Sequence, residues 1–148
     1  MFEEINVILA KARLQRARED YFAARLLLDK VFCGAANDRA YFCMYHAANA
    51  VCALDDRDLR GSCSVMSVFN HCYVDEACFD SRLFLMIEAA QKSRDDNNYN
   101  DCHVETRERT RRNLENAKVF LEAAESYIDR RVKLEYTPHI SYDPDDED

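Results

Sequence analysis

The sequence predicts an all-α protein, an antiparallel up-down bundle of four to five helices. The 148-residue chain contains only 2 Gly and 2 Pro, far fewer turn residues than a β-sandwich or barrel needs. Ala, Leu, Arg and Glu dominate the sequence, and all four are good helix formers. Apolar residues recur at helical spacing in segments joined by short polar stretches, which is typical of a bundle with antiparallel neighbours.

The first helix is predicted over residues 3–30, since apolar positions recur there at helical spacing and Arg and Glu fill the other face. We expect Gly34 to end this region, because glycine readily adopts the positive φ of a helix end. The predicted core positions of this helix are Ile5, Leu9, Ala12, Ala17, Tyr21, Ala24, Leu27 and Leu28.

The second helix is predicted from Arg39 to Leu54, with Asn37 or Asp38 as its N-cap. It is apolar nearly all round, so we expect it in the centre of the bundle or in an interface.

Three further helices complete the predicted bundle. A short helix within residues 64–74 precedes a longer one over residues 75–94, and residues 95–101 form a polar connection. The last long helix is predicted over residues 101–134. Its expected buried stripe consists of Leu114, Ala117, Leu121, Ala124 and Ile128.

The charge distribution predicts a bundle over residues 1–136 and an acidic tail over residues 137–148, which we expect to be disordered. The chain has 28 acidic and 20 basic residues, a net charge of -8, and five of the carboxylates lie in the last eight residues. Without those five the balance is 23 against 20, a net -3. Bulk charge therefore neither predicts a dedicated nucleic-acid binder nor excludes a local basic patch.

Cysteine usage indicates a reducing cytoplasm. The chain has seven Cys, an odd number, and its first residues resemble no signal peptide. The Cys spacing lacks the pairs of a zinc finger, and the sequence has no Gly-rich phosphate loop, so we expect neither a metal nor a cofactor. No apolar run reaches the roughly 20 residues that cross a bilayer, so we expect no membrane association.

Arg39 and His46 are the candidate catalytic residues. They are seven positions apart, close to two helical turns, so both side chains leave one face of an otherwise apolar helix. A His with a pKa near 6.5 can take the proton of a ribose 2′-OH. An Arg can hold the phosphate and stabilise the charge that develops on it. Such a pair is suited to cleaving RNA without a metal ion.

Three neighbours on the same helix are candidates for substrate binding. Tyr41, Tyr45 and Asn49 could stack on a base or donate hydrogen bonds to a phosphate, although Tyr in a bundle commonly serves core packing.

Structural roles for the charged residues remain open from the sequence. Arg39 and His46 could simply pair with a carboxylate across the bundle, and Asp20, Glu19 and Asp95 are the possible partners. The basic run at residues 107–112 could grip an RNA backbone, but a solvated helix face is the favoured interpretation.

The run NDRAYFCMYHAANAV at residues 37–51 is similar to the signature of the HEPN superfamily: an Arg-aromatic-aromatic run, then His, then two small residues. The resemblance covers residues 3–130 and is closest to small stand-alone prokaryotic members. In the Arg-x-x-Asp-Tyr element Asn98 replaces Asp. The other similar segments are 17–23, 64–74, 94–99 and 117–128.

The resemblance implies a dimeric bundle in which Arg39 and His46 form a metal-independent endoribonuclease site, with Arg94 as a further substrate-binding residue. It also implies a role as a toxin or defence effector, paired with a small nucleotidyltransferase antitoxin. Active members place a polar residue after the Arg, whereas this chain has Ala40. That difference supports the alternative, an inert HEPN module that binds a nucleotidyltransferase or a nucleotide.

Overall fold

The computed structural model describes residues 4–57, 65–74 and 78–132. These residues form an all-α bundle, which confirms the predicted fold class. The elements are α1 (Glu4–Asp29), α2 (Cys33–Leu54), α3 (Val65–Phe69), α4 (Ser81–Tyr99) and α5 (Arg107–Val132). α3 continues into a π-helical turn, Asn70–Val74.

The long helices alternate in direction along the chain. On α1 and α2, Arg13 contacts Asn49 and Asp20 contacts Arg39, so residue numbers rise on one helix as they fall on the other. Asn98 contacts Asp38 and Arg94 lies over Tyr41, so α4 is antiparallel to α2. α5 runs antiparallel to α4, because Arg109 contacts Asp96 and Asn113 contacts Ser93. It runs parallel to α2, because Asn37 contacts Thr110 and Cys43 contacts Ala117.

Helix α2 lies at the centre of the bundle and contacts α1, α3, α4 and α5. Small side chains let these neighbours approach closely, while larger apolar residues fill the space between them. The fully buried residues of α2 are Ala36, Asn37, Ala40, Cys43, Met44, Ala47, Ala48, Ala50, Val51, Cys52 and Leu54. The prediction of a central, apolar second helix therefore matches the structure.

Several predicted helix ends are wrong. α2 begins at Cys33, six residues before the predicted start, and Gly34 lies inside it. The chain instead reverses at Val31, whose φ of 65° is unusual for a β-branched residue. Helix formation therefore overrides the turn tendency of the glycine and the capping tendency of Asn37, which is buried in the bundle.

The bounds of α4 and α5 also differ from the prediction. α4 starts later, because the Asp80 carboxylate accepts a hydrogen bond from the Arg82 N–H at 2.9 Å and caps the helix. It then continues to Tyr99 through most of the predicted polar connection. α5 starts at Arg107, where Thr106 Oγ1 accepts the Arg109 N–H at 3.2 Å.

The buried stripe of α1 is rotated from the predicted one in its first half. Ile5, Leu9 and Ala12 are exposed, with 62% and 39% of the surface of Ile5 and Leu9 open. The residues of α1 that face the core are Val7, Ala10, Leu14, Ala17, Tyr21 and Ala24. The predicted stripe of α5 is correct, since all five of its residues are buried.

Buried polar contacts fix the first turns of α2 against α4 and α5. Asn37 Nδ2 donates to Thr110 Oγ1 at 2.9 Å, and its Oδ1 accepts from Asn113 Nδ2 at 2.7 Å. Asn113 Nδ2 also donates to Ser93 Oγ at 2.8 Å. Because each bond requires defined side-chain geometry, these contacts set the position of the turn that carries Arg39.

The opposite end of α2 is held through Asp55. Its Oδ2 accepts the hydroxyl groups of Tyr73 and Tyr127, each at 2.8 Å. Its Oδ1 lies 3.1 Å from Arg131 Nη2. Burial, followed by the bond to Asp55, raises the pKa of Tyr73 far above its ordinary value, so its hydroxyl group remains a donor.

The predicted acidic tail at residues 137–148 lies outside the described residues. In the part of the chain that is described, no helix has the length and apolar character needed to cross a membrane. The described residues also contain no cluster of three or more His, Cys, Asp or Glu placed to hold a metal ion.

Candidate functional site

The candidate site lies on the seam between α1 and α2, where one carboxylate contacts both predicted catalytic residues. Asp20 on α1 is buried. Its Oδ1 accepts a hydrogen bond from Arg39 Nη1 at 3.0 Å, and its Oδ2 lies 3.6 Å from His46 Nε2. The Arg39 side chain is 53% exposed, whereas that of His46 is 16% exposed. The site thus extends from the buried Asp20 in the bundle interior to the exposed Arg39 at the surface.

Among the described residues, the second oxygen of Asp20 has no hydrogen-bond partner. Oδ2 is buried, and its separation from His46 is an ion-pair distance rather than a hydrogen bond. An unsatisfied buried acceptor costs about 1–3 kcal/mol. The arrangement therefore becomes more favourable when His46 carries a positive charge.

The surroundings of His46 favour its neutral form. Burial is the largest influence and lowers the pKa of His46 below its ordinary value of 6.5. The Asp20 carboxylate opposes this shift, while the guanidinium groups of Arg16 and Arg13 add to it. A neutral imidazole near pH 7 is the form that can accept a proton.

Aromatic rings extend the site along α2 towards α4. The Phe42 ring stacks on His46 with a centroid separation of 6.0 Å, and the Tyr45 ring contacts His46 edge-on at 5.4 Å. Both rings are half-buried. A partly open aromatic surface beside a His is suited to stacking on a nucleobase.

Arg94 of α4 covers the start of this aromatic surface. Its guanidinium carbon lies 5.4 Å from the ring centre of Tyr41 and 5.3 Å from that of Phe42. Tyr41 is 8% exposed, and burial raises the pKa of its hydroxyl. Tyr41 is therefore a buried residue on which Arg94 packs, and the Arg94 side chain stays partly exposed at the surface.

Asn49 contacts a basic residue of α1. Arg13 Nη1 donates to both the backbone oxygen and the Oδ1 of Asn49, each at 3.2 Å. Arg16 is exposed one turn further along α1. Asn49 therefore orients the guanidinium group of Arg13.

The structure brings most of the predicted site together and adds residues from α1. Of the three carboxylates considered from the sequence, Asp20 is the one that pairs with Arg39 and His46. Sequence reasoning missed Phe42, Arg13 and Arg16. The spacing of Phe42 between Arg39 and His46 could have identified it, whereas the two arginines resemble any solvated basic face.

Ala40, the position at which active members have a polar residue, is fully buried. It therefore packs in the core of the bundle. A polar contact to His46 comes instead from Asp20 on the neighbouring helix.

The basic run at the start of α5 divides into two kinds of residue. Arg109 is held by Asp96 at 3.0 Å and by Ser93 Oγ at 2.7 Å, so it links α5 to α4. Arg107, Arg111 and Arg112 are exposed. Arg109 thus has a structural contact, while the other three arginines lie at the surface of α5.

The fold and the site together define the class of this protein: a small all-α bundle that carries an Arg and a His on its central helix. Within that class, the family model described as HEPN domain matches residues 10–127, which is most of the chain. The chain therefore belongs to the HEPN family. No curated protein matches its sequence.

Proposed function

We propose that this HEPN protein is a metal-independent endoribonuclease. The observation that supports this function best is the buried Asp20 carboxylate between Arg39 and His46. A purely structural ion pair would satisfy both carboxylate oxygens, because an unpaired buried acceptor lowers stability. Among the residues that the structure describes, Oδ2 accepts no hydrogen bond, and burial lowers the pKa of the His46 imidazole that it faces. The site is thus prepared to stabilise a proton that arrives on His46.

The reaction would be a transesterification within the RNA chain. With Nε2–H directed at Asp20, Nδ1 of His46 takes the proton of the ribose 2′-OH. The 2′-oxygen forms a bond to phosphorus, and the bond from phosphorus to the 5′-oxygen breaks. The departing oxygen takes a proton from water, and His46 returns its proton to solvent. The products carry a 2′,3′-cyclic phosphate and a 5′-hydroxyl group.

Arg39 and Asp20 have separate roles in this reaction. A guanidinium group has five N–H donors, and the exposed part of Arg39 can bind the non-bridging phosphate oxygens as their charge grows. Asp20 is a positioning residue, since it holds both Arg39 and His46 and favours the imidazolium. Phe42 and Tyr45 would stack on a base, and Arg94 would bind a neighbouring phosphate.

We also propose that the protein acts as a homodimer, with the seam of each copy facing a common cleft, and that it serves as a toxin or defence effector held by a small nucleotidyltransferase antitoxin. The alternative function is an inert module that binds such a partner or a nucleotide. An exposed apolar stripe on α1 favours this alternative, because such a stripe is suited to contact with a partner protein. The stripe consists of Ile5, Ile8 and Leu9.

The test is cleavage of single-stranded RNA by the purified protein in the presence of a chelator. We expect cleavage by the wild type and loss of activity in His46→Ala, with Arg111→Ala as a control on the exposed face of α5. Intact RNA with every variant would support the inert module. Equal cleavage by wild type and His46→Ala would contradict the proposed site.

A further inference from the structure

We propose that Arg13 and Arg16 form a second phosphate-binding site, which holds a flanking phosphate of a single-stranded RNA. This inference rests on the proposed function and extends the binding surface beyond the predicted residues. The site lies on α1, next to the Arg39–His46 pair.

The register of α1 against α2 places both arginines beside the candidate site. Arg13, Arg16 and Asp20 are three and four positions apart, so they share one face of α1. Arg13 contacts Asn49, and Asp20 contacts Arg39 and His46. Arg16 lies between these two contacts along α1, and its charge acts on His46.

The two guanidinium groups are available for an anion. Arg13 uses one nitrogen, Nη1, for both of its bonds to Asn49, which orients the group and leaves Nε and Nη2 for a ligand. Arg16 is exposed, and among the described residues no carboxylate lies within ion-pair distance of it. Two neighbouring arginines without a paired carboxylate repel each other, and a phosphate relieves this repulsion.

The length of the basic seam favours a strand over a single nucleotide. Arg39 and Asn49 are ten residues apart on α2, which corresponds to about 15 Å along the helix. Cationic groups lie at both ends: Arg39 and Arg94 at one, and Arg13 at the other. Arg16 lies between Arg13 and Asp20 on α1, close enough for its charge to act on His46. His46 lies between the two ends, so a strand bound along the seam would place its central phosphate at the catalytic pair.

The test measures binding of a fluorescent single-stranded RNA whose 2′-hydroxyls are all methylated, so that it cannot be cleaved. Arg16→Ala should weaken binding about tenfold, the effect of one charge-assisted contact. It should also lower the slope of log affinity against log salt by about 0.7, the value for one phosphate contact on a single strand. Arg16→Glu should weaken binding further, while the matched control Arg111→Ala should retain wild-type affinity and slope.

Several results would overturn the second phosphate site. These are unchanged affinity and slope in Arg16→Ala, an equal loss in Arg111→Ala, or no RNA binding by the wild type. Competition with AMP separates a strand from a nucleotide: if AMP displaces the RNA at concentrations near the RNA's own dissociation constant, the site binds mononucleotides instead. Failure of cleavage alone would affect the proposed enzyme and leave this binding result intact, because the RNA in the test is uncleavable.

Discussion

The carboxylate of Asp20 lies 3.6 Å from the imidazole Nε2 of His46, and within the described part of the chain the oxygen that faces this imidazole accepts no hydrogen bond. This contact joins α1 to α2, and it places His46 under two opposing influences on its pKa. Burial keeps His46 neutral, while Asp20 stabilises the charge that a proton would bring. A His in this position can accept a proton during a reaction and release it afterwards.

The first prediction concerns the pKa of His46. Asp20→Asn removes the group that raises this pKa, so the pKa of His46 should fall further below 6.5. Arg16→Ala removes a charge that lowers it, so the same pKa should rise. An NMR titration of the imidazole signals, assigned with His46→Gln, measures both shifts. Shifts of the same sign in the two variants would contradict the described electrostatics.

The second prediction concerns the pH dependence of RNA cleavage. A general base must be neutral in the free enzyme, so kcat/KM should rise with pH and reach a plateau above the pKa of His46. Because burial lowers that pKa, the midpoint should lie below 6.5. Asp20→Asn should move the midpoint to lower pH, which initial rates across pH 4–8 would reveal. A midpoint above 7 would exclude His46 as the base.

The third prediction separates the chemistry of Arg39 from its structural contact. Arg39→Lys keeps a positive charge near Asp20, so the free energy of unfolding should change by less than about 1 kcal/mol. The planar fork that binds a phosphate is lost, so kcat/KM should fall by about tenfold or more. Urea denaturation and cleavage rates supply the two measurements. Unchanged activity would support a structural role alone.

The fourth prediction concerns the polar contacts that fix the start of α2. Asn113→Ala removes the donor to Asn37 and Ser93 and leaves their buried oxygens with fewer partners. The free energy of unfolding should fall by about 2–3 kcal/mol. Glu115→Ala, at an exposed position of the same helix, is the control and should change it by less than about 0.5 kcal/mol. Equal values for both variants would show that these contacts add little stability.

The sequence was sufficient to predict the fold class and the central position of α2, because composition and apolar periodicity depend on local properties. It predicted the buried stripe of α5 for the same reason. The ends of the helices were harder to predict from the sequence, because they depend on packing between helices. Gly34 and Asn37 have strong local tendencies, but the packing of α2 against α4 and α5 overrides them.

The contribution of α1 to the site could not be predicted in full from the sequence. Asp20 was one of three possible partners, and only the register of α1 against α2 selects it. Arg13 and Arg18 look alike in the sequence. In the structure Arg13 contacts Asn49 beside the site, whereas Arg18 pairs with the buried Glu125 at 2.8 Å. Such differences depend on contacts between residues far apart in the chain.

The most direct test of the proposed function uses an RNA that is cleaved at one position and a matched RNA with a single 2′-deoxy nucleotide there. Transesterification requires the 2′-oxygen as nucleophile, so the first RNA should yield a 2′,3′-cyclic phosphate and a 5′-hydroxyl end with chelator present. The second RNA should remain intact at that position. Mass spectrometry of the products measures both outcomes. Cleavage of the deoxy RNA at the same position, or products with a 5′-phosphate, would contradict the proposed reaction of Arg39 and His46.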